Sequence, residues 1–199
     1  MPFAPLAGLI LSGGHSRRMQ RDKATLDFNG ESLLTRAARL LERHVSTTYV
    51  SVRPDQIKDP QRMGWPLIVD QLTDVGPAAG ILAALTAHPA HAWLVVAIDL
   101  PMLDEDTLVS LISRRNPERL ATAYLSAVDG LPEPLCTIWE PASRQPLETF
   151  IKIGKNCPRK FLLNHATELL DLKMSQALAN VNTPDDFAAA LQSTQGITK

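Results

Sequence analysis

Little in this chain invites cross-linking or an electrostatic partner. Two cysteines, Cys136 and Cys157, occur in 199 residues. They are too few for a disulfide framework and lie in no Cys-x-x-Cys or Cys/His spacing that would hold a metal, so reduced thiols are expected. The formal net charge is −1, which leaves no basic field for nucleic acid. The opening Met-Pro-Phe-Ala-Pro-Leu-Ala has no basic segment ahead of a long apolar run, so no secretory leader is expected. No apolar stretch reaches the roughly 20 residues that span a bilayer. Neither nucleic acid nor membrane is expected as a partner, and the expected location is cytoplasmic. Repeats, low-complexity tracts and linkers are absent as well. With 45% hydrophobic residues, the chain reads as one domain over residues 1–199.

What is present is an alternation of short apolar runs and amphipathic segments. Ala7–Ser12, Thr47–Val52, Pro66–Val69 and Trp93–Ile98 read as strands, the last being the clearest buried one. Glu31–Arg43 carries Leu33, Leu34, Ala37, Ala38 and Leu41 at helical spacing. Gly76-Pro77 opens a second helix with proline at the tolerated first position. Leu103–Arg114 has acidic residues in its first turn and arginines at its end, as the helix dipole favours. Leu120–Ala127 and Pro134–Trp139 flank Asp129-Gly130 and predict a hairpin. Helices are expected near Ser143–Ile153 and Pro158–Asn164, and another capped at Thr183-Pro184-Asp185-Asp186. Strands alternating with helices predict an α/β fold, a mainly parallel sheet with right-handed crossovers.

Ligands of such sheets sit at the carboxyl ends of the strands. Three features fall there: Gly13-Gly14 after the first strand, Asp70 after the third and Asp99 after the fourth. The Gly13-Gly14 loop is neither a Gly-x-x-x-x-Gly-Lys-Ser/Thr nor a Gly-x-Gly-x-x-Gly phosphate loop. It is a longer loop whose Arg17, Arg18 and Lys23 can reach phosphates, arginine with a planar fork and lysine as a movable charge. Asp99 follows a strongly apolar strand, where an unpaired carboxylate is expensive. It reads either as a ligand of nucleotide-bound Mg²⁺, which takes only one or two protein carboxylates, or as a turn aspartate. Asp70 reads as an acceptor for a nucleobase or ribose, or as the opening of a turn; Asp74 reads as a turn residue. His15 reads as a loop position, and His44, His88, His91 and His165 as surface or helix-end residues. Pro132-Glu133-Pro134-Leu135 either lines a substrate pocket or kinks an edge strand. Asn182 or Thr183 caps a helix, and Asn180 is the better candidate for ligand contact.

Leu-Ser-Gly-Gly-x-Ser-Arg-Arg-Met-x-x-Asp-Lys, Asp-(x)5-Gly-Pro-x-Ala-Gly-Ile, Asp-x-Pro and Asn-Val-Asn-Thr-Pro-Asp-Asp follow one another here. From Leu9 to Phe187 the chain resembles the molybdenum cofactor guanylyltransferases, which join GMP to molybdopterin. The resemblance implies a three-layer α/β/α Rossmann-like nucleotidyltransferase using GTP and molybdopterin or molybdenum cofactor, with cofactor-delivery and acceptor molybdoenzyme proteins as partners. It also implies that Leu11, Ser12, Gly13, Gly14, Lys23, Asp70 and Asp99 bind the nucleotide, that Asp99 carries Mg²⁺, and that Asn180 and Asn182 approach the pterin. Arg17 or Arg18 would join Lys23 and Asp99 in catalysis. The chain departs from the usual pattern at Ser12, where alanine is common, and at Gln20, where glycine is. Ser51 stands where an asparagine contacting the nucleotide is expected. Glu133-Pro134-Leu135 matches a subgroup and places Glu133 on the pterin side. A cytidylyltransferase for the same cofactor is the nearest alternative. A two-ring base needs more room, and the close backbone approach that Gly13-Gly14 permits favours guanine.

Overall fold

The computed structural model describes residues 3–14, 19, 21–72, 75–172 and 176–195. Its centre is a seven-stranded sheet. The strands are β1 (Leu6–Leu11), β4 (Thr48–Val52), β5 (Leu67–Val69), β6 (Ala92–Ala97), β7 (Ala121–Leu125), β8 (Pro132–Trp139) and β9 (Thr167–Asp171), in the order β5-β4-β1-β6-β8-β7-β9. β8 alone runs antiparallel to its neighbours β6 and β7; every other pairing in this sheet is parallel. Two short strands, β2 (Asp27–Phe28) and β3 (Glu31–Ser32), form a separate hairpin.

The alternating side chains of β6 show why the sheet is covered on both sides. Leu94 and Val96 face a core built with α1 (Leu33–Glu42) and α3 (Glu105–Ser113). Trp93 and Val95 face a second core built with α2 (Pro77–Ala87), α4 (Arg144–Lys152) and α5 (Pro158–Asn164). A strand buried on both faces must be apolar at every position, and all six residues of β6 are buried. The layering is the expected α/β/α.

Local chemistry fixes the helix starts. The Ser32 hydroxyl accepts from Thr35 N–H at α1, and Asp104 accepts from Thr107 N–H at α3. Gly76, at φ +70°, makes the turn that proline then follows into α2. The last helix, α6 (Pro184–Gln195), is capped by Thr183, whose hydroxyl accepts from Asp186 N–H.

Two local features differ from the sequence reading. Glu31 and Ser32 belong to the β2–β3 hairpin, turned by Asn29 and Gly30 at φ +57° and +90°. β9 is an additional parallel edge strand beside β7. Pro132 and Pro134 lie on the part of β8 beyond its last pair with β6, Cys136 with Val96, where only β7 is beside it, as the edge-kink reading expects. The register between β7 and β8 breaks between Ala123 and Leu125, so Glu133-Pro134 sits in a bulge where proline removes no ladder hydrogen bond.

Candidate active site

The chain order β5-β4-β1 on one side and β6 on the other reverses direction between β1 and β6. Such a switch point opens a crevice at the carboxyl end of the sheet. Ser12 and Gly13 leave β1 there and Asp99 leaves β6. Asp99 is held by its backbone, since its carbonyl accepts from Val181 N–H at 2.9 Å. This contact brings the segment just before α6 across the crevice.

Lys23 joins these parts. Its ammonium donates to Val181 O at 2.8 Å and to Asn182 Oδ1 at 2.9 Å, and lies 3.5 Å from Asp99 Oδ2. Burial pushes the Asp99 carboxyl above its usual range, and the charge and hydrogen bond of Lys23 pull it back only in part. The other Asp99 oxygen, Oδ1, is buried with no hydrogen-bond partner among the described residues. An orphaned carboxylate oxygen beside a strand end is suited to a hard divalent cation that takes its remaining ligands from phosphates and water. The loop after Asp99 is braced from α1, where Arg36 donates to Pro101 O at 2.7 Å and to Leu103 O at 3.4 Å.

Two arginines absent from the sequence reading hold the glycine segment. Arg53, directly after β4, donates to Gly13 O and pairs with Asp55. Arg62 is wholly buried and reaches both Ser12 and Asp22. Arg53 had a signal, its position at a strand end, whereas Arg62 meets partners 40 and 50 residues away that spacing does not reveal.

The remaining expected residues are distributed unevenly. Leu11 and Ser51 face α2: a Cβ on Gly80 would lie 2.4 Å from Ser51 Oγ and 3.1 Å from Leu11 Cδ2. Gly14 has open space around it. Asp70 accepts from Leu72 N–H at 2.9 Å, which closes a turn, and burial raises its carboxyl. It stands three strands from β6, about 14 Å at ordinary strand spacing. Glu133 pairs with Arg159 at 3.0 Å, which also holds Asp129 at 2.9 Å. Asn180 is exposed, and Asn182 is half-buried on Lys23. Arg17, Arg18, His15 and Asp74 lie outside the described residues. Cys136 is buried, Cys157 half-buried, and both are free thiols.

Residues 8–169 match the MobA-like NTP transferase domain. The chain belongs to that family. It is 34% identical over 183 residues to a molybdenum cofactor biosynthesis bifunctional protein of Synechocystis, covering 92% of this chain but only 53% of that protein. The chain thus spans about half the length of that relative. It is 31% identical to a probable molybdenum cofactor guanylyltransferase of Synechococcus elongatus, covering 92% of this chain and 96% of the other. Its fold matches a crystal structure of molybdopterin-guanine dinucleotide biosynthesis protein A from Archaeoglobus fulgidus, with a TM-score of 0.80 at 22% identity over 96% and 99% of the two chains. Membership in this family makes the chain a nucleotidyltransferase, and reactions of this kind generally run on a divalent metal. No helix among the described residues is long and apolar enough to cross a membrane.

Proposed function

We propose that this chain, acting as a single nucleotidyltransferase domain, transfers GMP from GTP to the terminal phosphate of molybdopterin or its molybdenum form. The products are the guanine dinucleotide cofactor and pyrophosphate. The observation that carries this reading is the meeting of Lys23, Asp99 and Asn182 at the switch point beside Gly13. The names of the relatives support the choice of donor and acceptor.

A phosphate oxygen of the acceptor forms a bond to the α-phosphorus as the bond to the bridging oxygen of pyrophosphate breaks. A phosphate monoester is largely dianionic at neutral pH, its second pKa being about 6, so the attack needs no general base. What the chain must do is hold two mutually repelling anions in line and offset the charge that builds on the leaving group. Lys23 is a three-donor cation for the phosphates, with Arg17 or Arg18 beside it in sequence. Gly14 is exposed with open space around it, and Leu11, Ser12, Gly13, Ser51 and Asp70 are further candidates on the nucleotide side. Asp99 is the residue that would hold Mg²⁺, which when bound neutralises phosphate charge. Asn180 and Asn182 flank the opposite wall, where the acceptor would lie, and Glu133 is a further candidate on that side.

The test is pyrophosphate release from GTP and from CTP with Mg²⁺ and molybdopterin, repeated with sugar phosphates as acceptors. GTP- and molybdopterin-dependent release is expected. Release with CTP alone would reassign the donor, and tight GTP binding without turnover on any acceptor would make the chain a nucleotide-binding adaptor.

A further inference from the structure

Arg62 is a charged side chain with 0% exposure. Its guanidinium has no donor to spare. Nε donates to Ser12 Oγ at 2.9 Å and Nη2 to Ser12 O at 3.3 Å. Nη1 donates to Asp22 Oδ2 at 2.8 Å and also to Asp59, while Nη2 reaches Asp22 Oδ1 at 2.9 Å. All five N–H groups are thereby engaged. Two carboxylates face one cation, so the cluster offers no net positive charge to a ligand. Arg62 cannot act on phosphate directly and must act through what it holds.

What it holds are the two ends of one segment. Ser12 is the residue after β1, and Asp22 immediately precedes Lys23. The Asp22 carboxylate also accepts from Ala24 N–H at 2.9 Å and so caps the turn that starts at Lys23. The connection therefore runs from the guanidinium through Asp22 to the backbone of the lysine that meets Asp99 and Asn182. Displacing either end would strand a donor of the buried guanidinium, which the low-dielectric interior penalises heavily.

We propose that Arg62 is a positioning residue of the nucleotide site. It fastens the start of the Gly13-Gly14 segment to the start of the Lys23 turn, and so sets where the lysine stands relative to the strand ends. Its consequence for turnover rests on the nucleotidyl-transfer reading above, whereas the clamp itself rests on geometry alone.

Arg62→Lys keeps the charge but replaces a five-donor fork with a three-donor point. Asp22→Asn keeps an acceptor for Ala24 N–H and removes the ion pair, a second variant in case the first fails to fold. In whichever variant melts cooperatively, KM for GTP should rise about tenfold, while KM for the acceptor and kcat change by less than about threefold. Exchange of the Ser12, Ala24 and Thr25 amides should quicken at least about tenfold, with the β6 amides as protected as before. A brace with only a structural role would loosen β6 along with the segment and leave KM for GTP unmoved. That outcome, or a folded Arg62→Lys with wild-type KM and exchange, would overturn the proposal. If calorimetry finds no GTP binding by the unsubstituted protein, the functional reading fails instead, and the exchange measurement alone decides the clamp.

Discussion

Replacing Asp99 by asparagine should separate folding from turnover. The side chain keeps its shape and loses its charge. Lost with the charge is the 3.5 Å attraction to Lys23, but that ammonium retains Val181 O and Asn182 Oδ1. Gained is relief from burying a carboxylate whose Oδ1 has no partner among the described residues. Desolvating the buried charge costs several kcal/mol and breaking its pair with Lys23 costs about 3–5 kcal/mol, so the two nearly cancel. The net change should lie within about 1 kcal/mol, a shift of about 2–4 °C in Tm for a chain of this size. Turnover, by contrast, should fall about 10²–10³-fold, the loss typical of removing one group that stabilises transition-state charge. Thermal melts without metal and pyrophosphate release with GTP measure the two quantities. Melts with GTP add a third, since Mg²⁺ should raise Tm of the native sequence and leave the variant nearly unmoved. A fall in Tm beyond about 8 °C, equivalent to more than about 2 kcal/mol, would make Asp99 structural. Turnover within threefold of the native rate would remove it from the chemistry.

Lys23→Ala should weaken GTP binding about 10–100-fold by calorimetry, the value of a charged hydrogen bond to phosphate; unchanged affinity would exclude it from the phosphate site. Gly80→Ala places a Cβ 2.4 Å from Ser51 Oγ and 3.1 Å from Leu11 Cδ2. It should cost about 1–3 kcal/mol in urea unfolding despite the better helix propensity, and markedly less when combined with Ser51→Ala. Burial pushes the Asp22 carboxyl up, but the Arg62 hydrogen bond, Ala24 N–H and the charges of Arg62 and Arg53 outweigh it and leave it below its ordinary 3.8. Its stabilisation is therefore complete above that value and lost as pH falls through the folded one. Asp22→Asn should flatten the decline of stability below about pH 4, and an unaltered acid limb would count against the pairing.

The parts legible in the sequence are those encoded locally. β6 announced itself because a strand buried on both faces is apolar throughout, and Pro77 and the acidic first turn after Leu103 marked helix starts with their own chemistry. The convergence of Lys23 and Asp99 was legible because Asp99 follows one strand and Lys23 closes the loop after another. The β2–β3 hairpin was missed although Asn29-Gly30 is a strong turn signal, because its strands are two residues each and no alternation can register. β9 was missed because an edge strand takes its identity from the neighbour it pairs with, here β7. Ser51 shows a different limit. The sequence places it at a strand end, but which way a side chain faces there depends on the helix packed above it, and α2 has a glycine opposite. Arg62 belongs to neither strand nor helix, and nothing within several residues of it hints at Ser12.

The bond from Val181 to Asp99 also has a consequence for the order in which the molecule is made. Every strand of the large sheet has been synthesised once Asp171 has been added, yet the wall that anchors Lys23 is still missing. A nascent chain can thus acquire its architecture before it acquires its chemistry. Translation that stops short of Asn180 leaves a product with the scaffold and without the machine.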